Sequence, residues 1–136
     1  MRVVHHTDAG DTSHDRQILA STVEVADSTL SQAKGLMFRR SIPDDYALVM
    51  ELGNGGGLVP FTDGPSRQFV HMLGMRFPID VLWLVDQRVT KAARLAPWTG
   101  AGLAKANRII ELPAGAAEDV SAGENVFIEG LDEDAG

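Results

Sequence analysis

The chain is 136 residues long, carries a net charge of -7 and contains no cysteine. One domain of that length can bury a core unaided, and the missing cysteines exclude disulfides, thiolate metal sites and a thiol nucleophile. The acidic balance and the lack of a basic stripe argue against nucleic acid or an anionic membrane as partner, and no apolar run is long enough to span a bilayer.

Residues 1–16 start polar and build no hydrophobic core, so they do not read as a secretion signal, and a cytoplasmic protein is expected. They hold His5, His6 and His14 among Asp8, Asp11 and Asp15. Imidazole and carboxylate together suit a metal such as zinc, but the spacing fits no closed site, and a flexible end without metal is the expectation. Ile18–Ala26 alternates as a strand. Asp27-Ser28 then offers an N-cap to a helix over Thr29–Arg39, where Leu30, Ala33, Leu36 and Met37 recur at helical spacing. Arg39 stands at the end of that helix, where a cation can bind the last carbonyls or, less economically, an anion.

Ser41–Asp45 has the composition of a turn and leads to a strand over Ala47–Leu52. Gly53–Gly57 follows a strand, but it runs into Leu58-Val59-Pro60 and lacks the Lys-Ser/Thr of a phosphate loop, so it reads as a glycine-rich insertion. The densest apolar stretch is Phe69–Asp86. At its start Arg67–Leu73 is expected as a strand, followed by Gly74–Pro78 as a crossing loop, because Pro78 cannot donate to a ladder. Asp80–Asp86 has the length and the β-branched, aromatic content of a strand buried on both faces. Leu82 and Leu84 would face one side, and Val81, Trp83 and Val85 the other. A tight turn at Asp86-Gln87-Arg88 makes a hairpin with Val89–Leu95. Asp80 stands where an apolar residue is expected, and a buried carboxylate needs partners. Arg76, His71 or amides left free around Pro78 are the candidates.

Ala96–Gly102 reads as a loop in which Trp98 plugs a core edge or stacks on a ligand. Asn107–Leu112 is a further strand, Ala116–Val120 at most two helical turns, Asn125–Glu129 the last strand, and residues 130–136 an acidic, flexible end. Three lysines against nine arginines, under a high negative charge, fit a halophile's solubility strategy or the codon bias of a GC-rich mesophile. The sum is a single domain over 1–136 of the α+β class, mainly β. Six to seven short strands form a small barrel-like or strongly curled mixed sheet, with one main helix packed on it.

Four pieces in order carry a resemblance: Gly35-Leu36-Met37-Phe38-Arg39, then His71-Met72 through Met75-Arg76-Phe77-Pro78-Ile79-Asp80, then Ala96-Pro97-Trp98, and Ile110–Gly115 followed by Gly123-Glu124. Together they resemble the DUF192 (UPF0127) family of uncharacterised proteins. That resemblance implies a small β-rich domain with a compact barrel-like sheet and no assigned activity. Many members have Trp-Met-Lys-Asn-Thr before the Pro-x-Asp, where this chain has His71-Met72-Leu73-Gly74-Met75. No role of the Lys-Asn-Thr group is therefore carried over. The usual late Gly-Asp is Gly123-Glu124 here.

No complete set of nucleophile, base and orienting group is legible. The chain reads as a binding module for a small molecule or a protein, without catalysis or cofactor, monomeric or a weak homodimer. Arg39, His71, Met72, Arg76, Asp80, Trp98 and Glu111 are its ligand-contact candidates, with Met72, Met75 and Phe77 as an exposed apolar floor. The alternative is a hydrolase-type acid–base enzyme. In it Asp80 and His71 converge at the crossing loop, assisted by Glu111, Arg39 or Arg76. A third, metal-dependent reading would join His71 to the N-terminal histidines.

Overall fold

The structure, a computed structural model, describes residues 1–6, 16–26, 41–51, 66–72 and 74–131. Ten strands run through them: β1 (Arg2–His6), β2 (Arg16–Ala20), β3 (Thr22–Ala26), β4 (Tyr46–Glu51), β5 (Ser66–His71), β6 (Ile79–Val85), β7 (Arg88–Leu95), β8 (Ala101–Ala106), β9 (Arg108–Pro113) and β10 (Asn125–Glu129). Eight form one sheet in the order β2-β1-β10-β7-β6-β9-β4-β3, while β5 and β8 make a separate two-stranded ribbon. β3 and β4 run parallel, and the other described ladders are antiparallel.

β6 feeds two cores. Its Leu82 and Leu84 pack with Val3, Val49, Ile110, Leu112, Val126 and Ile128, whereas Ile79, Val81 and Trp83 pack with Leu48, Met50, Met72, Met75 and Ile109. Strand side chains alternate between faces, so an unbroken apolar run is the signature of a strand covered on both sides. The ribbon covers the second face. Trp83 donates its indole N–H to the Gln68 carbonyl at 3.0 Å. Gly102 lies so close that a Cβ there would sit 2.5 Å from Trp83 Cη2, which leaves room for no other residue.

The β6–β7 hairpin turns at Asp86, whose φ of 56° is left-handed backbone that Asp tolerates. Val85 pairs with Arg88 and Leu84 with Val89, but the register slips by one between Trp83 and Leu84, so Arg94 faces Asp80. Thr90 is the extra residue of this bulge. Its hydroxyl lies 3.1 Å from the Trp83 carbonyl and 2.6 Å from that of Lys105.

The expected fold class is corrected. The described residues contain strands, turns and loops and no helix, so they are all-β, and the large sheet is open, with no ladder joining β2 to β3. The helix expected over Thr29–Arg39 and the insertion Gly53–Gly57 lie outside the described residues. Ala116–Val120 is a run of turns, tied by backbone bonds from Ala116 to Pro113, Glu118 to Gly115 and Val120 to Ala117. Ten strands stand where six or seven were expected because partners, more than local propensity, decide strand formation. Arg2–His6, expected as part of a flexible end, lies between β2 and β10. Ala101–Ala106 has no β-branched residue, yet it pairs with β5 over six positions.

The strand expected over Ile18–Ala26 is broken at Ser21. The amides of Ser21 and Thr22 both bond to the Asp45 carbonyl at 2.9 Å, and both hydroxyls donate to Asp45 Oδ2. The Thr22 and Ser21 hydroxyls hold the Asp45 carboxyl below its ordinary range. At this joint the chain leaves one edge of the large sheet and enters the other. Among the described residues no helix is long and apolar enough to cross a membrane.

Candidate functional site

Asp80 lies near the start of β6, buried on the same face as Leu82 and Leu84. One carboxylate oxygen accepts from Arg94 Nε at 2.8 Å, and the other accepts from the amides of Gly115 and Ala117 at 2.9 and 3.0 Å. The partners expected from the sequence are thus corrected from Arg76, His71 and the amides near Pro78 to Arg94 and the turn after β9. The cause is the bulge. Without its one-residue slip Ala93, not Arg94, would stand opposite Asp80. The bond and charge of Asp80 raise the Arg94 guanidinium further above its ordinary pKa.

A cleft of about 240 Å³ opens beside this network, walled by Leu82, Ala92, Ala117 and Val120, with Asp80, Arg94 and Glu118 as its polar groups. Its origin is in the ladder. β7 meets β10 at a single pair, Asn125 opposite Arg88. Val89 still bonds to Gly123 and Glu124. Past it, among the described residues, no ladder covers the outer edge of β7, which faces the 113–120 turns across the cleft.

Glu111 occupies the other face. It sits on β9 between Leu48 of β4 and Val81 of β6, both members of the second core. Burial pushes its carboxyl up to about 7, because desolvation disfavours the charged form and no donor among the described residues offsets it. The row continues through Leu48 to Glu24 of β3, which accepts from the Tyr46 hydroxyl.

The remaining candidates scatter. His71 ends β5, exposed, with its ring 6.2 Å from that of Phe69. Arg76 is exposed in the crossing loop, and Arg39 lies outside the described residues. Trp98 is exposed and held at a φ of 67°, which is rare for a bulky side chain. Met72 and Met75, expected as an exposed floor, are buried in the second core. The Met72 amide donates to Gly100, and its carbonyl accepts from Met75 and Trp98, so two loops close over its side chain. Asp80 and His71 stand on different sheets with no hydrogen bond or ion pair between them, and Glu111 faces away from Asp80. The structure does not gather the convergent acid–base set.

One pair was missed. His5 is wholly buried in β1, its Nε2 lies 2.9 Å from Glu124 Oε1, and its Nδ1 has no partner among the described residues. Burial pushes the Glu124 carboxyl up, but the Ser121 amide and His5 outweigh it and leave it below its ordinary range. Nothing in spacing links residues 119 positions apart; Val3-Val4 ahead of His5 was the available hint of a strand. His6 packs its ring 5.1 Å from Phe127. His14 lies outside the described residues, and among those described no three His, Asp or Glu residues gather as metal ligands.

No functionally curated protein matches the chain. Two solved structures share its fold. One is a protein of unknown function from Novosphingobium aromaticivorans, 21% identical, with a TM-score of 0.70 over 94% of this chain and 84% of that one. The other is described as a putative transcription regulator from Sinorhizobium meliloti, 22% identical, with a TM-score of 0.71 over 93% of this chain and 91% of that one. A family model, DUF192, described as an uncharacterized ACR, matches residues 11–128. With a match over most of its length, the chain belongs to the DUF192 family.

Proposed function

We propose that the protein is a binding module whose small-molecule site is the cleft between β7 and the 113–120 turns. The observation that carries this reading is the commitment of Asp80. Both of its oxygens accept from protein donors, so it builds the wall of the cleft and orients Arg94 rather than handling a substrate proton. Arg94 and Glu118 bring opposite charges to a slot lined by Leu82, Ala92, Ala117 and Val120. A small ligand with an apolar body and a zwitterionic or amide head suits that lining. The volume lies below the ~300–1,000 Å³ of drug-sized pockets, which limits the ligand to a small metabolite.

The test is a fragment screen on the isotope-labelled chain, read by amide shifts. Small zwitterions and amides are expected to move Ala92, Ala93, Ala117 and Val120 together, and Arg94→Met to remove the response. If no fragment moves that group, the cleft is not a ligand site.

An acid–base role has one observation in its favour, and it falls on Glu111 rather than on Asp80 and His71. A carboxyl with a pKa near 7 is poised to exchange protons at neutral pH. A hydrolytic activity that survives Asp80→Asn and is lost in Glu111→Gln would support that second reading.

A further inference from the structure

The β5–β8 ribbon is held from behind and exposed on its outer face. Behind it, Gln68, Val70, Gly102 and Ala106 are buried, and the indole of Trp83 is both hydrogen-bonded and in contact. The outer face carries Arg67, Phe69 and His71 of β5, set opposite Lys105, Leu103 and Ala101 of β8. All six are exposed. Phe69 is 53% and Leu103 41% accessible, and they stand directly across from each other. At the His71 end, the loop entering β8 carries Trp98, also 53% accessible and in left-handed backbone. Strain of that kind persists where surrounding structure imposes it, and it gathers at binding sites.

We propose that this outer face is a docking surface for an extended protein segment that alternates acidic with apolar side chains. The inference is independent of the cleft, since no residue is shared. Charge selects the occupant. On a chain of net charge -7, neither β5 nor β8 contains an acidic residue, and the face presents Arg67 and Lys105 side by side next to its apolar pair. Beyond ~8 Å the acidic remainder of the molecule is screened at physiological salt, so a partner in contact meets the two cations first. A second copy fits poorly. A symmetric contact would lay one basic and apolar face on an identical one, in which neither β5 nor β8 offers an acidic residue to meet Arg67 and Lys105. Two cations are also too few to neutralise a nucleic-acid backbone, whose binding rests on many phosphate contacts. The apolar pair and Trp98 then supply the anchors that dominate a small interface.

The probe is a short fluorescein-labelled peptide alternating Asp with Leu and Phe, titrated into the full chain and followed by anisotropy. Saturable binding is expected. It should weaken about tenfold or more in Arg67→Glu/Lys105→Glu, and as much in Phe69→Ser/Leu103→Ser, each with an unchanged melt. Arg94→Met should leave it unaffected, which separates this surface from the cleft. No binding overturns the proposal. So does binding that ignores both double variants, or tighter binding of oligo(dT) or of anionic phosphatidylserine vesicles than of the peptide.

Discussion

Asp80 and Glu111 stand one step apart on neighbouring strands, Asp80 opposite Leu112 and Glu111 opposite Val81, and they face opposite cores. Both are buried. Asp80 has three donors within 3.0 Å and holds a hairpin to a turn. Glu111 has only apolar neighbours across its ladders, and its pKa rises to about 7. The difference shows that burial does not decide what a carboxyl does. Partners do: the first is a fastener and the second is a cost at neutral pH.

The sharpest way to break this comparison is Asp80→Ala. It strands the part-buried Gly115 amide and the buried Ala117 amide, while the half-exposed Arg94 guanidinium can turn to water. Each buried donor left unpaired costs roughly 1–3 kcal/mol, so a loss of about 2–4 kcal/mol is expected in urea unfolding at pH 7. A loss below about 1 kcal/mol would mean that Asp80 fastens nothing.

Glu111→Gln should move stability the other way. The folded pKa of about 7 lies above the ordinary 4.5, so the native state holds the proton longer than the unfolded chain. The contribution of Glu111 to wild-type stability is therefore fully present below about pH 4.5 and is lost as pH rises through 7. The interval of 2.5 units corresponds to at most about 3 kcal/mol. The variant should thus gain about 2–3 kcal/mol over wild type at pH 8 and nothing near pH 4. Parallel stability curves for the two proteins across that range would refute an uncompensated Glu111.

Asp80→Asn is expected to cost less than the alanine, about 1–2 kcal/mol, because one acceptor oxygen remains while the new NH₂ confronts donors. The smallest effect belongs to Arg94→Met, whose side chain is half exposed. Its melt should shift slightly in wild type and not at all in the Asp80→Asn background, since Arg94 contributes to stability through Asp80. A double-mutant cycle reads that coupling directly.

Much of the frame was legible. β10 matches the residues expected, and β4, β6, β7 and β9 lie within a residue at each end of their expectation, with the alternation of Leu82 and Leu84 against Val81 and Trp83 intact. These strands advertise themselves through β-branched and aromatic residues. β8 does not, because Ala-Gly-Leu-Ala-Lys-Ala becomes a strand only where Gly102 can lie flat on Trp83. β1 was hidden for a similar reason. Its five residues are a strand by virtue of β10, made at the far end of the chain. At the site, an Asp within an apolar run flagged the right position, and the hairpin with its turn at Asp86-Gln87-Arg88 was foreseen, but Arg94 was not among the partners expected for Asp80. The slip at Trp83 that completes the pairing has no sequence mark stronger than Thr90 itself.

The pairing of β1 with β10 also sets a clock. Arg2 and Glu129 form an ion pair across 127 positions, so at ~5–20 residues per second the ribosome needs roughly 6–25 s to deliver the second strand after the first. Through that interval β1 has β2 as its one ladder partner, and its other edge stays unpaired. A nascent chain stopped before Asn125 would lack the strand that separates β1 from β7 and could not join the two halves of the large sheet. Joining the two halves of the large sheet therefore waits on the delivery of β10, and until then one edge of β1 stands open to other partners.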